Sequence, residues 1–231
     1  MEQPSNQTLE VKLLRTFGAS FAVLIAGLAL LLLATGGGQS FTTETSRRLQ
    51  VAAQPQQLES FNITTSSTTS KDEKTNLNAL LAAGSKVWLV DFVYTRCQTV
   101  CSSLGTIYQQ LQAQIESRGL QGQVGLLSIS FDPANDNAAA LNAYATRMQM
   151  RPAIWQIATL TNWQDRRRLL DAFGIMVVPA PLGEFEHNAA LHVVSSDGRL
   201  LKIIDYADFE TAIDAGVRIA NPSLQALQAA P

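Results

Sequence analysis

Cys97 and Cys101 are the only cysteines in 231 residues, and they form a Cys-x-x-x-Cys pair. A thiolate is both a ligand for soft metals and the nucleophile of disulfide exchange, so the pair has two chemical uses. If both residues were helical, positions i and i+4 would hold their Cβ atoms about 5–6 Å apart. A relaxed disulfide wants about 3.5–4.5 Å. A regular helix therefore favours a shared metal ion over a bridge. Flexing at Cys97, at the helix entrance, keeps the bridge open as a second use. Arg96 and the helix N-terminus are both expected to favour the thiolate. The competing reading is two buried structural cysteines. Their place at a strand-helix junction, where α/β proteins put reactive groups, argues against it.

Two sulfurs leave a metal site incomplete, and the chain has two histidines, His187 and His192. His192 alternates with Leu191 and Val193 in a strand-like run and reads as a structural residue on a sheet face. His187 follows Gly183-Glu184-Phe185-Glu186, a loop leading into that strand, and is the natural third ligand on a thioredoxin-like fold. Two thiolates and an imidazole suit Cu(I), with Cu(II) accessible. Zinc is chemically allowed but usually takes a fourth ligand.

The elements that must position these residues follow from periodicity. Val87–Tyr94 is an apolar, β-branched and aromatic run within a strand expected over 86–94, and a helix is expected from about 100 to 117. Val124–Ser130 reads as a second buried strand, Asn137–Met148 as an amphipathic helix, and Ile154–Ala158 as a weak strand. Thr161-Asn162-Trp163-Gln164 has capping-box spacing and opens a helix that Gly174 ends. Ala189–Val194 and Leu200–Ile204 pair across a Ser195–Gly198 turn, and Asp208 is expected to cap a last helix to about Ile219. Strands alternating with helices and closing on a hairpin predict an α/β, thioredoxin-like mixed sheet flanked by helices.

Phe17 to Thr35 carries no charge over 19 residues. At about 1.5 Å per residue it just spans a hydrocarbon core of roughly 30 Å. No small-residue cleavage site follows, so an uncleaved transmembrane anchor is favoured over a signal peptide. Lys12 and Arg15 lie closer to the run than Arg47 and Arg48 do, which puts residues 1–16 in the cytoplasm and the folded part outside. Residues 36–75 read as a flexible tether with a short strand near Leu58–Ile63, residues 76–220 as the domain, and 221–231 as a tail. Net charge is −2, and no basic stripe suggests nucleic acid. Glu2 and Glu10 argue against a mitochondrial presequence and for a bacterial inner membrane, with the domain in the periplasm.

Over roughly 85–215 the chain resembles the Sco/SenC family of copper-binding proteins that assist cytochrome c oxidase assembly. The resemblance rests on Val90-Asp91-Phe92-Val93-Tyr94-Thr95 before Cys97-x-x-x-Cys101, on Ser128-Ile129-Ser130-Phe131-Asp132-Pro133 with Asp136, and on Glu186-His187 ten residues before Asp197-Gly198. Gln98 and Ser102 stand where the family usually has proline. The resemblance implies one copper held by Cys97, Cys101 and His187, and transfer of copper or reducing equivalents to the dinuclear copper centre of the oxidase. Its implied partners are the copper-bearing oxidase subunit and a second copper chaperone as donor. Asp132 and Asp136 read as structural caps on the following helix. Beside this metallochaperone, a module without turnover, stand two other readings. One is a thiol-disulfide oxidoreductase that keeps the oxidase's copper-ligand cysteines reduced. The other is a peroxidase-like enzyme using Thr95 and Arg96 beside Cys97.

Overall fold

The computed structural model describes residues 6–35, 37, 42–66, 73–84, 87–97 and 100–221, with the side chains of 6–11, 73, 100–104 and 182 outside the description. In chain order the elements are α1 (Asn6–Ala34), α2 (Thr43–Ala53), β1 (Gln56–Gln57), β2 (Asn62–Thr65), β3 (Glu73–Asn76), α3 (Leu77–Ala83), β4 (Val87–Val93), α4 (Val100–Ser117), β5 (Val124–Ser130), α5 (Ala138–Arg147), β6 (Trp155–Leu160), α6 (Arg166–Phe173), β7 (Val177–Pro179), β8 (Phe185–His187), β9 (Ala190–Ser195), β10 (Arg199–Asp205) and α7 (Ala212–Ala220). The chain divides into two compact units after Leu49.

In the first unit, α1 carries the uncharged run. Its Lys12–Ala34 stretch has a mean hydropathy of 2.5 and is long and apolar enough to cross a membrane.

The second unit is built on an eight-stranded mixed sheet in the order β1-β10-β9-β4-β5-β6-β2-β3. β4, β5 and β6 are parallel, and β9 closes on β4 antiparallel, with Val90 opposite His192. Every residue of β4 and β5 is buried, as expected where helices cover both faces of a parallel pair. On one face Trp88, Phe92 and Phe131 pack with Leu77 and Leu81 of α3 and Leu169 and Phe173 of α6. On the other, Leu89 and Leu126 pack with Tyr108 and Leu111 of α4 and Ile213 of α7. Burying each such side chain contributes about 1.5–3 kcal/mol, enough to hold the sheet without disulfides. This mixed, helix-flanked sheet is the expected thioredoxin-like α/β class.

Three boundaries differ from expectation, each for a local reason. The 36–75 segment is more structured than a tether: α2, β1 and β2 lie in it, β3 begins in it, and Val51, Leu58, Phe61 and Ile63 are core residues. Its many Thr, Ser and Gln residues hid four anchoring apolar positions. Thr161 does not cap a helix; its N–H and hydroxyl both bond Asn62 O, at 3.0 and 3.2 Å, tying β6 to β2. Asn162 caps a short 3-10 turn instead, and α6 follows. Gly174 does end α6, at φ 66°, where a Cβ is disfavoured. At the C-terminal end Asp208 does not cap the last helix: Asp205 accepts from Ala207 N at 3.1 Å and caps a 3-10 turn over Tyr206–Thr211, after which α7 starts without a side-chain cap. Residues 222–231, most of the expected tail, lie outside the described residues.

Candidate metal centre

β4 and β5 end side by side, with Val93 opposite Ser130, so the segments leaving their carboxyl ends share one end of the sheet. Cys97 comes four residues after β4 and is buried, with its N–H bonded to Tyr94 O at 3.2 Å. The turn between is wired to the segment after β5. Asp136, fully buried, accepts from Thr95 N at 2.9 Å, Thr95 Oγ1 at 2.6 Å and Ser130 Oγ at 2.5 Å. Asp132 receives Arg96 Nη2 at 2.9 Å and both its oxygens receive Asn135 Nδ2. Arg147 Nη2 donates to Thr95 O at 2.9 Å.

These bonds correct two expectations. Asp132 and Asp136 are structural, but they brace the cysteine loop and do not cap α5. Asn137 caps it, accepting from Ala140 N at 3.0 Å. Arg96 is ion-paired to Asp132, so its charge already has a carboxylate partner and is a poorer aid to the thiolate. The same commitments remove Thr95 and Arg96 from the peroxidase-like role, since Asp136 and Asp132 hold them.

Cys101 is the second residue of α4; its side chain, like that of Ser102, lies outside the description, and Gln98 lies outside the described residues altogether. Cys97 itself precedes the helix. The helical i, i+4 spacing therefore does not govern the pair.

His187 ends β8 and pairs with Val177 of β7 in a separate two-stranded sheet. Its Nδ1 lies 3.1 Å from Asn188 O. A carbonyl only accepts, so the proton belongs on Nδ1 and the lone pair on Nε2. Nε2 is buried and has no hydrogen-bond partner among the described residues. Burial pushes the imidazole below its ordinary value and keeps it neutral, with the Asn188 bond a smaller opposing effect. This is the tautomer and charge state a metal ligand needs. The Asn188 side chain fixes the segment further, accepting from Met176 N at 2.7 Å and donating to Gly174 O at 3.0 Å.

The link between the two halves is a residue that the strand pattern concealed. Tyr94, which the sequence offers as the aromatic end of a β run and as part of the family motif, is buried with its ring against Phe131 and edge-on to Phe185. Its hydroxyl donates to Glu184 Oε2 at 2.5 Å and accepts from Phe185 N at 3.2 Å. It also interacts with the Cys97 side chain. Burial, then the Glu184 bond, pushes its phenol well above the ordinary value. Phe131 completes the enclosure, with its ring 5.2 Å from that of His187. Cys97 and His187 thus border one aromatic enclosure. Among the described residues no group of three His, Cys, Asp or Glu forms a ready metal cage; that description does not include the Cys101 side chain.

His192 is elsewhere. It is buried between Phe92 and Phe173, with Nδ1 3.2 Å from Val90 O and Nε2 3.0 Å from Phe173 O. Both nitrogens face carbonyls, which is a structural arrangement. Asp91, one position along β4 from Val90, was passed over as part of an apolar run. It is fully buried, and its Oδ1 has no hydrogen-bond partner among the described residues. Burial pushes its carboxyl up to about 7, against a lowering bond with Ser128.

A family model described as SCO1/SenC matches residues 53–220. The chain belongs to the SCO1/SenC family. A curated relative, the SCO1 protein homolog of Bacillus subtilis (strain 168), is 28% identical over 127 residues, which is 54% of this chain and 64% of the relative, under two thirds of its length. A SCO1/SenC family lipoprotein from Bacillus anthracis str. Ames has a similar structure, with a TM-score of 0.62 and 24% identity over 72% of this chain and 98% of that one. BsSco, a member of the Sco family of cytochrome c oxidase assembly proteins in which a disulfide switch was identified, matches at TM-score 0.56 and 23% identity, over 71% and 95%. Arabidopsis thaliana ScoI with copper bound matches at TM-score 0.58 and 13% identity, over 71% and 99%. At these identities the structural likenesses establish the fold that the SCO1/SenC domain shares.

Proposed function

We propose that this protein is a membrane-anchored copper metallochaperone that binds one copper ion through Cys97, Cys101 and His187. It delivers the ion to the dinuclear copper centre of cytochrome c oxidase. The observation that carries the reading is the His187 imidazole: neutral, its proton turned to Asn188 O, its buried Nε2 without a hydrogen-bond partner among the described residues. Copper is the cargo here. Loading takes the ion onto two thiolates and one imidazole, and the two thiol protons leave to solvent. The aromatic enclosure of Phe131, Tyr94 and Phe185 keeps water from the ligands while the ion is held. Support also comes from relatives of the same fold: Arabidopsis thaliana ScoI was solved with copper bound, and BsSco is an oxidase assembly protein.

On this reading α1 is a single-pass anchor in a bacterial inner membrane. Lys12 and Arg15 stay in the cytoplasm, and the folded unit faces the periplasm, where the oxidase's copper-bearing subunit is the acceptor and another copper chaperone the donor.

A second reading rests on Cys97 lying outside α4. Released from helical spacing, the pair can close a disulfide, and a thiol-disulfide oxidoreductase would use it to reduce the oxidase's copper-ligand cysteines. The disulfide switch of BsSco is consistent with it. The two functions share one reduced state.

The test is copper stoichiometry. Full-length protein in detergent is reduced, loaded anaerobically with Cu(I) and desalted, beside His187→Ala and Cys97→Ser. One retained copper per chain, lost in both variants, is the expected result. No retained copper, from a dithiol that still cycles with a protein disulfide, would leave the oxidoreductase.

A further inference from the structure

The turn that carries Cys97 and the hairpin that carries His187 belong to different sheets, and the hairpin is not hydrogen-bonded into the main one. Something must hold the hairpin at the cysteine loop. The Tyr94 hydroxyl is placed to do it. It lies at the end of β4, three residues before Cys97, and interacts with that side chain. On its far side it engages the hairpin at three atoms: it donates to Glu184 Oε2, accepts from the Phe185 N–H and lies 3.3 Å from Phe185 O, a second acceptor for its proton. Phe185 begins the strand that His187 ends. One O–H group therefore spans from the cysteine loop to the histidine strand. The ring beneath it, packed on Phe131 and Phe185, would pack equally well as phenylalanine. Among the described residues the hydroxyl makes the hydrogen-bonded link, and those bonds are the part that packing does not explain.

We propose that Tyr94 is a positioning residue: its hydroxyl, clasped by Glu184 and the Phe185 amide, holds His187 in the aromatic enclosure that Cys97 also borders. It thereby sets whether the site is a three-ligand metal centre or a bare dithiol. The inference rests on the three-ligand reading above. Without the clasp Cys97 keeps its own support, because Asp136 and Asp132 brace its loop through Thr95 and Arg96 and not through Tyr94. The imidazole alone loses its register. Loosening the clasp from the Glu184 side thus moves the protein toward the oxidoreductase without touching either cysteine.

The experiment compares full-length wild type, Tyr94→Phe, Glu184→Ala, Glu184→Gln and Cys97→Ser in detergent. Three quantities are read: hydrogen exchange of the Phe185 amide in the metal-free protein, Cu(I) affinity against a competing chelator, and the rate at which the reduced pair exchanges with a small disulfide. Tyr94→Phe and Glu184→Ala are expected to speed Phe185 exchange and to weaken Cu(I) binding by about tenfold or more, the usual scale for a residue that orients a ligand. Glu184→Ala should leave thiol-disulfide exchange unchanged, whereas Tyr94→Phe also loses the hydroxyl's interaction with Cys97 and is read on the first two quantities. Glu184→Gln keeps an acceptor for the phenol and should behave as wild type, which a merely electrostatic role for Glu184 would not allow. Faster Phe185 exchange with unchanged affinity would overturn the proposal, as would unchanged exchange in Tyr94→Phe. Should Tyr94→Phe unfold, Glu184→Ala decides alone, since that partly exposed side chain can be truncated without emptying the core. If wild type holds no copper, the metallochaperone reading has failed, while the amide exchange still reports on the clasp and unchanged exchange would still refute it.

Discussion

The two sides of the candidate site are built in opposite ways. The cysteine loop is wired to the main sheet by buried carboxylates, with three donors converging on Asp136. The histidine hairpin stands on its own two strands and is clipped in place by side chains, Tyr94 on one side and Asn188 on the other. On the proposed three-ligand reading, a site made this way keeps Cys97 preset and makes the imidazole the adjustable side.

The contrast is broken most severely at Asp136. Asp136→Ala leaves the Thr95 N–H, the Thr95 hydroxyl and the Ser130 hydroxyl buried without their acceptor, for a loss of about 5 kcal/mol. Denaturant titration should show that loss together with loss of copper retention.

Acid and base separate the two sides as well. Asp91 lies in β4, the strand that leads to the cysteine loop, and its folded pKa is raised, to about 7. Its neutral form favours the fold fully below the unfolded carboxylate value, and that contribution is lost as pH rises through about 7. Asp91→Asn should therefore be the more stable protein near pH 8, by up to about 4 kcal/mol, and the difference should shrink as pH falls toward 4. His187 has a lowered folded pKa, so its contribution has the opposite sign: present above the unfolded imidazole value and lost as pH falls below it. In the metal-free protein its ring resonances should titrate below those of a free histidine. A ring titrating at or above that value would mean that the imidazole is not desolvated as described.

Asn188→Ala removes the amide that joins Met176 N to Gly174 O, and should cost about 1–2 kcal/mol. Exchange of the Met176 amide should rise while the Thr95 amide stays protected. Equal loosening of both would show that the two sides are one mechanical unit. The smallest effect is Gly174→Ala, which forces a Cβ into φ 66° at the end of α6, for about 1 kcal/mol in thermal or denaturant unfolding.

How legible this was depended on the kind of pattern each residue sits in. β4, α4 and β5 were readable because long apolar runs and helical spacing report burial directly, and β5 falls where its seven-residue run predicts. Asp132 and Asp136 stood out by type but were given the commonest role for a carboxylate after a strand. Their true partners, Thr95 and Arg96, are about forty residues earlier, a separation that no local rule reaches. Tyr94 is legible as a strand end and as part of the family motif, and only the fold shows what its hydroxyl meets. Asp91 did carry a signal, a charge inside an otherwise apolar run. His187 stood out from its loop and from the family pattern, whereas its tautomer depends on Asn188 O and needed coordinates.

The chain ahead of β4 closes the sheet at both ends. β1 pairs along β10, while β2 pairs along β6 and carries β3 outside it. A fragment cut to begin at residue 76 would lose these strands and leave unpaired backbone on β10 and β6, beside the vacated places of Leu58, Phe61 and Ile63. Bare strand edges next to open apolar surface recruit other chains, so such a fragment would be prone to self-association and precipitation. For anyone preparing a soluble form, the practical start lies near Gln50, ahead of the first of these closing strands.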